Sequence, residues 1–228
     1  MRFAVSKVQG LVSGSASRRL SGPRRAAFGL ALSILGLAGL AFPAAAQTLA
    51  SLPSEAGAKV QGDARPIAAW VTFCQSYAAE CAVDRTEPSR ISLTPATWAT
   101  IVSVNRRVNK AVEPMTDQDH LHVADRWDLA EDGIGDCEDF QLLKRHMLAE
   151  AGLPRRAMRM TVVIDEKGEG HAVLTLVTDR GDLVLDNKTN AILPWHRTGY
   201  VFIKRESQDA VAWVSLGGVT SPVTTANR

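Results

Sequence analysis

The apolar residues of this chain change their period at Gly152-Leu153-Pro154, and that change restricts the fold more than any other feature. Before it, Phe140, Leu143, Met147, Leu148 and Ala151 recur at helical spacing and form one apolar stripe. Asp136 is a suitable N-cap for this helix, and Glu138 and Asp139 fall in its first turn, where the dipole favours acids. Gly152 and Pro154 stop it. Beyond that point the period is that of strands, over 159–164, 171–178, 183–186 and 200–204, separated by polar turns around Gly168 and Gly181. Connections of hairpin length imply antiparallel pairing. Helices followed by a meander predict an α+β domain.

Upstream, Pro66 to Phe73 reads as a short helix with proline in its first turn. Thr94-Pro95 then caps a longer one, in which Trp98, Ile101, Val104 and Val108 form the apolar face. Asn105 and Asn109 of that helix are expected to face solvent. Residues 110–135 are irregular and polar, with Asp117, His120, His122, Asp125, Trp127 and Asp128, a composition that suits a functional loop better than a linker.

Residues 1–46 carry six basic side chains, no acid, an apolar run from Ala26 to Phe42, and Ala44-Ala45-Ala46 before Gln47. This is the pattern of a signal peptide cleaved after Ala46, which directs the chain to the periplasm. An uncleaved anchor is the alternative, because an apolar run of about 17 residues lies at the lower limit of what spans a bilayer. Without the leader, 20 basic residues face 24 acids, a net charge of about −4. No basic footprint for nucleic acid remains. The remainder divides into a flexible arm over 47–65, one domain over 66–210 and a Ser/Thr-rich tail over 211–228.

Export also bears on the three cysteines, since thiols in an oxidising compartment tend to pair. Cys74 and Cys81 are close enough in sequence to close a small loop, which leaves Cys137 free as a candidate reactive thiol. Cys137 stands at the first turn of the capped helix, where free N–H groups and the dipole favour a thiolate. Downstream, His171 follows a Gly-rich turn and Asp186 ends the next strand, so hairpin pairing can bring imidazole and carboxylate together. Cysteine, histidine and aspartate in these positions form a candidate nucleophile, base and orienting acid for acyl chemistry. Asp136, Glu138 and Asp139 beside the sulfur oppose thiolate formation. Either they form a solvated helix start, or a hard divalent cation neutralises them, and calcium suits an extracytoplasmic site. The EF-hand spacing is absent, and neither the cysteines nor His120 and His122 have zinc-site spacing.

The runs Gly135-Asp136-Cys137-Glu138-Asp139-Phe140, Gly170-His171-Ala172-Val173-Leu174 and Gly181-Asp182-Leu183-Val184-Leu185-Asp186-Asn187 resemble the bacterial transglutaminase-like cysteine proteinase family. The resemblance extends from about Trp70 to Ser207. It implies a papain-like, transglutaminase-type fold with Cys137, His171 and Asp186 as the triad. It also implies calcium held by Asp136 and Glu138, with Asp139 as a further ligand. The expected substrate is a protein, a cell-surface adhesin in biofilm control, and the expected partner an inner-membrane receptor for cyclic di-GMP. Leu121 to Trp127 departs from the family's pattern before its Asp-x-Trp element. A transglutaminase-type acyl transferase or amidase acting on cell-envelope amides is the alternative, since both chemistries share a thioester intermediate.

Overall fold

The computed structural model describes residue 49 and residues 56–220. The expected signal peptide over 1–46 and the last residues of the expected tail lie outside the described residues. In chain order the elements are β1 (Gly62–Ala64), α1 (Ala68–Ser76), α2 (Ala78–Cys81), α3 (Pro95–Ala111), β2 (Glu113–Pro114), α4 (Asp117–His120), β3 (Ile134–Gly135), α5 (Cys137–Glu150), β4 (Met158–Ile164), β5 (Gly170–Thr178), β6 (Gly181–Leu185), β7 (Leu193–Pro194), β8 (Val201–Glu206) and β9 (Trp213–Thr220). Seven strands pair antiparallel in the order β1-β9-β8-β4-β5-β6-β7, while β2 and β3 form a separate parallel pair. Helices precede the meander, so the α+β architecture is the one the change of period implies.

α5 lies between α3 and the strands β4 and β5. Alternation along the strands sends Met158, Met160, Leu174, Leu176, Leu183 and Leu185 into one core with Ile101, Phe140, Leu142 and Leu148 from the helices. Val163, Val173, Val184, Phe202 and Leu216 form a smaller cluster of their own. The helix starts follow local chemistry. Thr94 Oγ1 accepts the Thr97 N–H at 3.1 Å, with Pro95 in the first turn of α3. α5 ends where Gly152 takes φ 88°, a left-handed turn that glycine adopts without strain.

Two boundaries differ from the sequence expectation. Gly62–Ala64, within the expected flexible arm, is an edge strand on β9, and the Ala58 N–H donates to the buried Asp182 carboxylate at 3.0 Å. Trp213–Thr220, expected as tail, pairs with both β1 and β8. The reason is burial: Trp213 is 1% exposed and meets Trp70 and Trp127 edge-on at 5.7 and 6.2 Å. Burying an indole of that size is worth several kcal/mol, about 2–3 or more, which outweighs the poor strand propensity of Gly217 and Gly218.

A buried polar node ties these layers together. Glu206 of β8 accepts from Arg145 of α5 at 2.6 Å, from the Trp70 indole at 2.6 Å and from the Met160 N–H at 2.9 Å. Cys74 and Cys81 form the expected disulfide, with Cα atoms 5.5 Å apart, and Cys137 is the free cysteine among the described residues. Glu80, next to Cys81, bonds His146 of α5 at 2.8 Å and also pairs with Arg155, so the bridged loop is fastened to the helix that carries Cys137.

Candidate active site

Cys137 is the first residue of α5, so its N–H has no intrahelical acceptor and the positive end of the helix dipole lies at its side chain. Close approach of β3 to this turn requires glycine, since a Cβ on Gly135 would lie 2.8 Å from the Asp139 side chain. The Cys137 sulfur accepts the Ala172 N–H of β5 at 3.4 Å, which sets it beside His171 in the chain. The same sulfur donates its proton to Glu138 Oε2 at 3.1 Å.

The β5–β6 register explains the imidazole and its acid. Leu174 opposes Leu185, and one step further the same register sets Asp186 across from Val173, diagonal to His171. His171 Nε2 meets Asp186 Oδ1 at 2.9 Å with both side chains buried, which leaves Nδ1 as the ring nitrogen available to the thiol. Asp186 Oδ1 also accepts the Lys188 N–H at 3.0 Å, and Oδ2 accepts the Tyr200 hydroxyl at 2.7 Å. Burial alone would raise the Asp186 pKa, but the His171 bond and charge, followed by the Lys188 and Tyr200 bonds, hold it below the ordinary carboxylate value. Asp186 is therefore ionised and oriented, as the acid of such a triad must be.

The loop after Asp186 is held from α3. Asn109 Nδ2 donates to the backbone oxygens of Asp186 at 2.9 Å and Thr189 at 3.1 Å, and Asn105 Nδ2 donates to the Asn190 oxygen at 3.3 Å. Asn105 is fully buried and Asn109 half-buried, so neither faces solvent as expected. Asn105 lies one turn from both Ile101 and Val108, among the buried residues of α3, and the loop that the two asparagines bind arrives from some eighty residues away. Tyr200 likewise carried no local signal.

The carboxylates divide into two groups. Asp136, Cys137 and Glu138 bring one ligand atom each within 4.8 Å of one another, and so do Asp117, Asp125 and Glu138. Glu138 belongs to both sets. Asp139, expected as a further ligand, belongs to neither set: it is 2% exposed, its Oδ1 accepts the Asp128 N–H at 2.8 Å and its Oδ2 the Asp136 N–H at 3.3 Å. Asp139 stitches the 128 loop to the start of α5. Asp117 and Asp125, in the polar stretch 110–135, approach Glu138 instead; among so many acids no spacing singled them out.

The electrostatics of this cluster are strained without a counter-charge. Burial and the neighbouring Asp136 push Glu138 upward, burial raises Asp136, and burial with the Asp128 and Asp136 charges lifts Asp139 to about 8 against its two backbone hydrogen bonds. Burial, then the Glu138 carboxylate, pushes the Cys137 thiol far above its ordinary range. Asp136 Oδ1 is buried with no hydrogen-bond partner. An orphaned carboxylate oxygen within a set of hard oxygen donors fits a divalent cation such as calcium. A cleft of about 550 Å³ opens beside the cluster between α1 and the 123–128 loop, lined by Phe73, Tyr77, Val123 and Trp127, with Asp125 on its wall.

The sequence pattern described as bacterial transglutaminase-like cysteine proteinase matches residues 60–221. Among solved structures, calcium-bound Legionella pneumophila LapG is similar at 24% identity, over 54% of this chain and 70% of that one, with a TM-score of 0.46. A second structure of Legionella pneumophila LapG shares 23% identity over 57% of this chain and 74% of that one, with a TM-score of 0.45. No curated protein matches the chain.

Proposed function

The chain belongs to the bacterial transglutaminase-like cysteine proteinase family and is a cysteine peptidase, and on that premise we propose that it is an exported, calcium-dependent endopeptidase acting through Cys137, His171 and Asp186. The observation that carries this reading is the convergence on one helix start of a free thiol, a buried His171–Asp186 pair and a shared acid cluster. In the reaction, His171 Nδ1 takes the thiol proton while Asp186 holds Nε2 and stabilises the imidazolium. The thiolate attacks a peptide carbonyl, the Cys137 N–H, which has no intrahelical acceptor, faces the developing oxyanion, and His171 returns the proton to the leaving amine. Water, deprotonated by the same imidazole, then releases the acyl group from sulfur.

Asp117, Asp125, Asp136 and Glu138 are the residues that would hold calcium, which would supply charge neutralisation beside the thiol. With Glu138 neutralised, the thiol would lose that acceptor and the charge that opposes the thiolate, and His171 would be the working base. The acidic leader-free charge, the signal pattern and the Cys74–Cys81 bridge support a periplasmic location. The substrate we propose is an exported surface protein of the adhesin type, with a cyclic di-GMP receptor as regulator.

The test is to expose the cell's own exported proteins to protein beginning at Gln47 and to map new N-termini by mass spectrometry. New termini should appear with calcium and vanish with Cys137→Ala or a calcium chelator. Cleavage that survives Cys137→Ala would sink the nucleophile, and cleavage undiminished by chelator would sink the metal. An amine donor incorporated in place of water would make the enzyme a transferase.

A further inference from the structure

Cys137, Gln141 and Lys144 stand at i, i+4 and i+7 on α5, one face of the helix that packs against the sheet. Lys144 is fully buried, an unusual place for a lysine, and a helix face that needed only packing would carry leucine or methionine there. Its Nζ donates to Gln141 Oε1 at 3.2 Å. Gln141, also fully buried, donates from Nε2 to Asn187 Oδ1 at 3.4 Å. Asn187 directly follows Asp186, so this chain of bonds runs from the nucleophile's helix to the residue beside the triad acid. The same loop is held from α3 by Asn109, whose amide donates to the Asp186 and Thr189 oxygens. Burial pulls the Lys144 amine down to about 7, and the Asp186 charge acts against that fall, so the two groups sense one another. Charged or neutral, the amine keeps N–H bonds to give Gln141.

We propose that Lys144 is a positioning residue of the peptidase reaction: its buried amine fixes the Gln141 amide, which holds Asn187 and thereby the backbone that aims Asp186 at His171. The proposal rests on the Cys137–His171–Asp186 reading. A polar chain of this kind pre-orients the acid without touching substrate, and loss of it loosens the geometry rather than removing a reacting group.

The test uses the low-field proton resonance of the His171 Nε2–H to Asp186 bond, assigned by its loss in Asp186→Ala, and the iodoacetamide alkylation rate of Cys137 in calcium-loaded protein. Lys144→Met should shift or broaden that resonance and slow alkylation roughly tenfold, with the cooperative melt retained. A folded Lys144→Met with an unchanged resonance and an alkylation rate within twofold of native overturns the proposal. If Lys144→Met does not fold, Gln141→Leu, which keeps Lys144 and breaks the link to Asn187, must give the same two changes, and their absence overturns it equally. Repeating the resonance measurement in Cys137→Ala separates the two ideas. Peptidase activity persisting in Cys137→Ala removes the nucleophile reading, while the response of the His171 signal to Lys144→Met still decides the role of Lys144.

Discussion

Tyr200→Phe removes one hydroxyl and keeps the ring, so its effect isolates a single bond to the triad acid. The ring contact with His171 at 5.9 Å and the Lys188 ammonium 5.9 Å from the ring centroid both survive the change. What is lost is the 2.7 Å bond from the hydroxyl to Asp186 Oδ2, at a site where Asp186 is 3% exposed and water cannot replace it. Burial and the adjacent Asp186 raise the Tyr200 pKa, so the hydroxyl remains a donor throughout the working range. A hydrogen bond to a buried charge contributes about 1.5–3 kcal/mol. Taking about 2 kcal/mol, the melting temperature should fall by about 4–8 °C for a domain of this size.

The pH dependence has a definite sign. Asp186 has a folded-state pKa below its unfolded value, so its contribution is complete above the unfolded value, near 3.9, and disappears as pH falls through the folded one. The difference between native and Tyr200→Phe melting temperatures should therefore be full at pH 7 and narrow below about pH 4. Circular dichroism melts of both proteins at pH 7 and across the acid range measure it directly. In an Asp186→Ala background the same substitution should cost less than about 0.5 kcal/mol, because the shared partner is gone. An equal loss with and without Asp186, or one that persists undiminished at low pH, would show that Tyr200 acts through packing and that the carboxylate bond contributes nothing.

Asp139→Asn should lower stability by about 1–3 kcal/mol equally with and without calcium, whereas Glu138→Gln should abolish the calcium-dependent rise in melting temperature; scanning calorimetry with and without the ion separates them. Asn109→Leu should reduce turnover roughly 10–100-fold with a small change in melting, because it frees the Asp186 and Thr189 oxygens near the triad, and a turnover assay on any cleaved substrate checks this. Replacing Cys74 and Cys81 together by serine should cost about 2–3 kcal/mol in denaturant unfolding and leave the alkylation rate of Cys137 unchanged.

Much of the site could be read along the sequence because its parts are punctuated by turns. Asp136 caps α5, Gly170 opens β5 ahead of His171, and Asp186 closes β6, so cysteine, histidine and aspartate each stand where an element begins or ends. Antiparallel pairing of adjacent strands then sufficed to join His171 to Asp186. What remained hidden depends on contacts between distant segments. β1 reaches β9 across some 150 residues, with Gly62 opposite Ser215, and neither segment has the alternation of a half-buried strand. Asn105 is buried with the apolar residues of α3 and Asn109 follows it by one turn, but the loop they bind is some eighty residues away and leaves no local signal. Asp117 and Asp125 converge on Glu138 only because the 110–135 segment folds back over the start of α5. Lys144 sits within an apolar stripe, and its burial appears only once α5 is laid against the sheet.

The acids beside the sulfur, which oppose a nucleophile in isolation, are intelligible as a switch once their partners are known. Without a counter-charge the Cys137 thiol donates to Glu138, and burial together with that carboxylate keeps the proton on sulfur. Asp117, Asp125, Asp136 and Glu138 are the acids that would share a cation, and its charge there would withdraw Glu138 as an acceptor and favour the thiolate. Asp139 stands apart because its carboxylate accepts two backbone N–H groups that hold the turn, so the helix start does not depend on a cation to keep its shape. Under the proposed function calcium would control the protonation of a preformed triad, and the fold supplies that constellation through the α5 cap, the β5–β6 register and the asparagines of α3.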